Sequence, residues 1–192
     1  MNQYQRIFIL KLIYIYIGVS MAEWFLHKYI MHGDPEHLSH VPLVGEHLRD
    51  IANGHQYHHK QVLMNMKFKK EGTTDFYAWK EVIAFAVIAY FIVGPIYNGP
   101  VCNRAVIAII IAFSYSLLSN NLHNDMHASD GEIPWENGPS NSLSSCFTNN
   151  PIYKRLWYNH AIHHLQKGGD KFNFNIITIG ADDLFGTRKI DK

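Results

Sequence analysis

Ten histidines in four short groups are interleaved with three apolar runs, and few folds can accommodate that alternation. The groups are His27 and His32 (HKYIMH), His55, His58 and His59 (HQYHH), His123 and His127 (HNDMH), and His160, His163 and His164 (HAIHH). The remaining three, His37, His40 and His47, read as ordinary polar residues. In each HxxHH group the imidazoles stand at i, i+3 and i+4 and so share one side of a helix. His123 and His127, at i and i+4, do the same. His27 and His32 are five apart, about 140° round an ideal helix, so they share a face only if the helix ends between them. Gly33-Asp34-Pro35 offers such an ending.

The first apolar run, residues 7–26 (IFILKLIYIYIGVSMAEWFL), has about the 20 residues that a bilayer crossing needs. Lys11 can snorkel from its start, and Glu23, near its other end, is expected to face protein. The second run, residues 82–97, and the third, 105–118, flank the turn-rich NGPVCNR and predict an antiparallel helical hairpin. Each of these two is shorter than a full span, so core helices of a soluble bundle are the competing reading. The connection between residues 28 and 80 carries Lys28, Arg49, Lys60, Lys67, Lys69, Lys70 and Lys80, against Arg104 alone in the hairpin turn. The positive-inside rule then puts the long connection in the cytosol, together with the C-terminal third. All four histidine groups fall on that one membrane face. Further helices are expected over residues 47–66 and 151–165, and a surface loop over 129–150.

Composition narrows the function class. The 192 residues make one domain, 1–192, and leave no room for a second catalytic or electron-carrying module. A net charge of +1 argues against a nucleic-acid binder, and two isolated cysteines, Cys102 and Cys146, against a disulfide framework or a Cys-type zinc site. Mean hydropathy of only −0.12 means that a sizeable polar body accompanies the apolar helices. The expected fold is therefore an all-α integral membrane protein: about three transmembrane helices under a cytosolic helical cap that holds a histidine-rich metal site.

Imidazole binds zinc, copper, iron or nickel, and ten imidazoles exceed one ion's coordination shell. Two ions are the economical reading. No HExxH base accompanies the histidines, which disfavours a zinc hydrolase, and no Glu-x-x-His pair of the soluble di-iron bundles occurs. A shell of neutral nitrogens leaves the charge of two divalent ions uncompensated, so nearby carboxylates are expected to support it. Glu23, Asp125 and Asp182 are the candidates.

The four groups, with a hydrophobic hairpin between the second and third, resemble the fatty acid hydroxylase / sterol desaturase superfamily of membrane di-iron oxygenases. The likeness runs from Glu23 to Thr187. EWFLHKYIMH is similar to the first box of fatty acid 2-hydroxylases, and HKYIMH also to that of bacterial carotenoid hydroxylases. NFNIITIGADDLFGT resembles the terminal signature, an Asn followed nine residues later by an Asp, here Asn173 and Asp182. One apolar segment precedes the first box where two are usual, and KQVLMNMKF after HQYHH lacks the proline-rich pattern of the 2-hydroxylases.

The resemblance implies that His27, His32, His55, His58, His59, His123, His127, His160, His163 and His164 hold two iron ions, for which zinc can substitute in purified protein. It implies an O2-dependent oxidoreductase that hydroxylates or desaturates a lipid C–H bond. The substrate would be a fatty acyl or sterol-type lipid, or a carotenoid, entering from the bilayer past aromatics such as Trp24, Tyr29, Phe76, Trp79 and Trp157. The membrane would be the endoplasmic reticulum or a bacterial inner membrane. With no dinucleotide fingerprint or haem-binding segment, the electrons would come from a separate cytochrome b5 or ferredoxin. KFKK (67–70) could dock such a donor, but as a charge run beside a membrane it reads first as a lipid-headgroup contact or topology signal. A membrane metal-handling protein without redox chemistry and a zinc hydrolase are the alternatives of other classes.

Overall fold

The first helix, α1 (Gln3–Phe25), opens on a reciprocal cap: Asn2 Oδ1 accepts the Gln5 amide and Gln5 Oε1 accepts the Asn2 amide, both at 2.9 Å. In this computed structural model, which describes residues 1–63, 66–67, 69, 79–127, 150–165 and 168–190, the helix does not stop at Phe25. It widens into a π-helical turn, Leu26–Met31, closed by the His32 amide donating to the His27 carbonyl at 3.0 Å. Asp34 then caps the short α2 (Pro35–Ser39), with Pro35 in its first turn. Next come α3 (Gly45–Gln61), α4 (Trp79–Val93) with a 3₁₀ turn over Gly94–Ile96, α5 (Val101–Met126), α6 (Pro151–Leu165) and the single-turn α7 (Ala181–Leu184). The described residues contain no strand beyond an isolated bridge position at Val62.

Three of these helical stretches are long and apolar enough to cross a membrane: Gln3–Met31, Trp79–Ile96 and Val101–Met126. They meet through a small core of Val19 from α1, Phe85 from α4, and Ala112 and Tyr115 from α5, with Phe85 and Tyr115 stacked at 4.4 Å. Gly18 lets α1 and α4 approach closely, since a Cβ there would stand 2.6 Å from the Ile92 side chain. At the far end of the hairpin Arg104 donates to the Tyr90 carbonyl at 2.9 Å and lies 3.7 Å over its ring. Most remaining apolar side chains point outward, among them Ile13, Ile17, Val87, Phe91, Ile110 and Phe113. So much contiguous apolar surface calls for a lipid or protein cover.

The opposite end is polar and carries the histidines. There α3, α6 and the chain from Phe172 to Arg188 close over the ends of α1 and α5, around a second core of Leu122, Met126, Tyr153, Leu156 and Ile176. The helix over 151–165 is found as expected, and α3 ends at Gln61, five residues short of the expected end. The third apolar helix is much longer than 105–118, because Ser119 to Asn124 continue it with their polar side chains turned partly to the histidine end. The expected loop over 129–150 lies outside the described residues except for Asn150, as do Phe76, Cys146, and Phe68 and Lys70 of KFKK.

Candidate metal centre

The ten grouped histidines converge as two sets of five. His27, His32, His55, His59 and His163 form one, and His58, His123, His127, His160 and His164 the other; within each set the facing nitrogens all lie within 4.8 Å of one another. The sets mix elements. The π turn supplies His27 and its capping residue His32 to the first, α3 divides its HQYHH between both, and α6 does the same with HAIHH. A helix explains the division: i and i+4 of HQYHH (His55, His59) point to one set while i+3 (His58) points to the other.

The first set has the order of a square pyramid. Going round His27, His55, His59 and His163, adjacent ring centroids are 4.7, 4.7, 4.8 and 4.6 Å apart, and the diagonal from His55 to His163 is 6.4 Å. His32 stands over all four at 5.1, 4.7, 4.8 and 4.9 Å. The second set repeats this, with His58, His123, His160 and His164 in cyclic order at 5.1, 4.7, 4.4 and 4.9 Å. His127 stands over its four at 4.7, 5.1, 4.7 and 4.8 Å. The two sets adjoin, His59 stacking on His164 at 4.1 Å.

These nitrogens do not form an ordinary hydrogen-bond network. His55 Nε2 lies 3.0 Å from His27 Nε2 and 3.1 Å from both His32 Nε2 and His59 Nε2. A ring nitrogen has one proton or one in-plane lone pair, so it cannot serve three such partners. The arrangement is instead that of lone pairs aimed at a common point. Metal–imidazole bonds of about 2.1 Å put neighbouring nitrogens about 3.0 Å apart in an octahedral shell and about 3.4 Å apart in a tetrahedral one. The contacts in both sets, 2.8 to 3.1 Å, match the octahedral spacing. Nε2 of His123 and of His164 are buried with no hydrogen-bond partner among the described residues, as unbound donors would be.

Backbone carbonyls set the tautomers. His27 Nδ1 donates to the Phe174 carbonyl at 2.7 Å, His163 Nδ1 to that of Phe172 at 2.7 Å, and His127 Nδ1 to that of Met66 at 3.1 Å, which leaves each Nε2 lone pair for a ligand. The rings are also held neutral, the form that binds metal. Burial, then the neighbouring His163, pushes His32 down to about 3; burial, then His58, takes His127 to about 3 against the pull of the Met66 carbonyl. His55, His59, His160 and His164 are depressed for the same reasons, burial first and adjacent imidazoles second.

Among the described residues, Glu23, Asp125 and Asp182 form no hydrogen bond or ion pair with the ten histidines, although Glu23 lines the same small cavity as His27, His55 and His123. Glu23 is buried, as expected of a residue facing protein, and accepts the amides of Ile176, Ile177 and Thr178 at 2.7 to 3.0 Å, the Thr178 hydroxyl, and Asn175 Nδ2. Asp182 accepts the amides of Phe174 and Asn175 at 2.9 and 2.7 Å and the Thr187 hydroxyl at 2.7 Å. It thus holds the backbone whose carbonyl orients His27. Asn173, at φ 55°, ties the segment to its own tail by exchanging two hydrogen bonds with the Lys189 backbone. Asp125 is half-buried, and its Oδ2 has no partner among the described residues. His37 pairs with Asp34 at 3.3 Å and His47 with Glu81 at 3.4 Å; with His40, both stand outside the two sets.

Sequence reasoning overlooked Asn175. Its Nδ2 donates to the Ser20 carbonyl, Glu23 and Thr178, and its Oδ1 accepts the Asp182 amide, so it joins α1 to the terminal segment. Ser20 is a second omission, its hydroxyl bonded to the Ile179 carbonyl and the Ala181 amide. The signal was there: Tyr16, Ser20, Glu23 and His27 lie on one stripe of an otherwise apolar helix. Of the candidate aromatics, Trp24 is buried against Phe174 and Ala181, Trp157 packs on the second core, and Tyr29 and Trp79 are exposed.

A cavity of about 30 Å³, room for one water molecule, touches both sets. His27 and His55 of the first and His123 of the second line it, with Glu23, Met31, Tyr115, Ser119 and Ile176 on the apolar-helix side. A wider polar pocket of about 380 Å³ opens on His32, His59, His163 and His164, beside Gln56, Lys60 and Asp170. No family model, curated protein or solved structure matches the chain.

Proposed function

We propose that the chain is an integral-membrane dinuclear metal oxygenase that hydroxylates or desaturates a C–H bond of a lipid, with the histidine end on the cytosolic face. The observation that carries this reading is the pair of five-nitrogen pyramids. Each brings five imidazole nitrogens together, and an ion that prefers six ligands, held there, would have room for one exogenous ligand. A structural site is closed, whereas a reactive one keeps such a position. Imidazole shells accept iron along with zinc, copper and nickel, and the resemblance to the hydroxylase superfamily favours iron among them. Two iron ions so held would supply the reduction of dioxygen and the attack on an unactivated C–H bond, in the balance RH + O2 + 2e⁻ + 2H⁺ → ROH + H2O.

The protein's own share is binding, orientation and exclusion of water. Both sets lie at the same end of three apolar helices, so a lipid lying among those helices can present a carbon to them without leaving the bilayer. The cavity bounded by His27, His55 and His123 is lined on its other side by residues of the apolar helices, Tyr115 and Ser119 among them. Its wall of Met31, Tyr115 and Ile176 is apolar, though at about 30 Å³ it has room for one water molecule and would have to open to admit an alkyl chain. The resemblance to the hydroxylase superfamily points to a fatty acyl, sterol-type or carotenoid substrate. The carbonyls of Phe172, Phe174 and Met66 hold three ring planes fixed.

The test is expression with iron and a reducing system in a lipid-producing host, followed by mass spectrometry of the extracted lipids. A gain of 16 mass units, or a loss of 2, that depends on His58 and His163 is the expected result. Stoichiometric metal with no oxygen consumption and no altered lipid would favour the metal-handling alternative and overturn the proposal.

A further inference from the structure

Oxygenation consumes two electrons for each dioxygen, and the chain needs a point at which a carrier protein can deliver them. Resting on the oxygenase reading, we propose that the surface formed by Lys28, Leu184, Phe185, Lys189 and Ile190 docks an acidic one-electron carrier, which is oxidised twice per turnover.

A line of rings runs inward from this surface. Phe185, 42% exposed, lies 4.2 Å from Trp24, Trp24 lies 6.2 Å from Phe174, and Phe174 stands 5.8, 5.9 and 6.1 Å from His27, His163 and His32. Phe174 thus touches three of the five histidines of one set, and its carbonyl is bonded to one of them. Nothing in the packing of a lipid headgroup requires that continuity.

Charge and polarity fit the same partner. Lys28 Nζ sits 4.5 Å over the Trp24 ring and 5.7 Å over Phe174, so this cation lies against the ring path, and Lys189 Nζ sits 5.0 Å over Phe172, two residues before Phe174. Neither has a carboxylate partner among the described residues. Among the described residues, Asp183 beside Leu184 is shared by Arg155 and Arg188, so one carboxylate there answers two guanidinium groups. Leu184, next in sequence to Phe185, and Ile190, next to Lys189, are 65% and 63% exposed and add apolar surface beside these cations. An apolar centre with a charged rim is the make-up of a protein interface, and the charge speeds encounter with an acidic partner. The wide polar pocket on the histidines lacks this make-up, being lined by Gln56, Lys60 and Asp170.

The full chain, loaded with redox-silent zinc in phosphatidylcholine nanodiscs, is titrated with two acidic probes, the soluble domain of a cytochrome b5 and a [2Fe–2S] ferredoxin. Binding of at least one probe is expected, weakened at least tenfold by Lys28→Glu with Lys189→Glu, severalfold by Phe185→Ala, and also by raised salt. Lys60→Glu should leave it unchanged. Equal affinity in every variant, or a loss with Lys60→Glu alone, overturns the docking site. So does an effect of the lysine changes seen only with anionic phosphatidylglycerol, which would make them headgroup contacts. The iron-loaded variants should still form product with dithionite while losing carrier-driven product. If the unaltered protein binds a carrier but forms no product with either reductant, the oxygenase reading fails and the docking site stands.

Discussion

Glu23 Oε1 accepts the Ile177 amide at 2.7 Å, a contact between residues 154 positions apart that pins the terminal segment to the first apolar helix. The same carboxylate takes two more amides, a hydroxyl and a side-chain amide. It serves the two histidine sets at one remove, by fixing the strip whose Phe172 and Phe174 carbonyls orient His163 and His27.

Glu23→Gln replaces one acceptor oxygen with a donor aimed at other donors. It should therefore destabilise the fold by roughly 2–4 kcal/mol, the loss of two or more buried charge-assisted hydrogen bonds. Thermal unfolding in detergent measures this, and limited proteolysis should show the segment after Phe172 released first. Unchanged stability would mean that the segment is held by something other than Glu23.

Metal content separates the two sets. Ion binding is expected at about two equivalents per chain, falling to about one in His55→Ala or in His160→Ala, because each removes a base ligand from one pyramid only. Combining the two should leave almost none. His37→Ala, outside both sets, is the control. Elemental analysis of purified protein reads the result, and a loss of both ions from either single change would show one shared site instead of two.

The histidine spacing carried much of this architecture, since i, i+3 and i+4 put each HxxHH group on one side of its helix, but that spacing did not show that His58 and His163 are each divided from the other two rings of their group. What it could not carry is the π turn. Residues 27 and 32 do not meet on an α-helix, and the expected remedy was a helix end between them. The chain instead widens the helix by one residue, so that His27 and His32 stack at 5.1 Å. Nor could spacing reveal that Glu23 and Asp182 hold backbone, because their partners are amides and carbonyls common to every residue. Apolar length indicated three membrane helices but not where α5 ends, because its last turns are polar and buried for the sake of His123.

The two ions should leave at different rates. His32, His59 and His163 of the first set border the wide pocket, whereas the second set reaches it only through His164. A chelator such as EDTA added to the zinc-loaded protein is expected to remove one equivalent quickly and the other slowly. His58→Ala should abolish the slow phase and His32→Ala the fast one. A single phase in the unaltered protein would contradict the difference in access.

Orientation can be read from Cys102, exposed in the first turn of α5 at the end of the hairpin away from the histidines. With Cys146 replaced by Ser, a membrane-impermeant maleimide should label Cys102 from outside intact cells. Labelling only after the cells are opened would reverse the assignment of the histidine end to the cytosol.

Acid should unfold the metal-free protein early. His32 and His127 are pushed down to about 3 in the fold, against about 6.5 when unfolded. Below pH 6.5 the unfolded chain takes up protons that the folded chain refuses, so stability is lost as pH falls from 6.5 towards 3. Each such group contributes roughly 1.4 kcal/mol per pH unit, and the other buried imidazoles outside the apolar helices shift in the same direction. Bound metal competes for the same lone pairs and should move the acid transition to lower pH. Unfolding midpoints of metal-free and zinc-loaded protein, measured from pH 7.5 to 4.5, test both statements. A metal-free protein equally stable at pH 7 and pH 5 would show that these imidazoles accept protons in place and are not held neutral by burial.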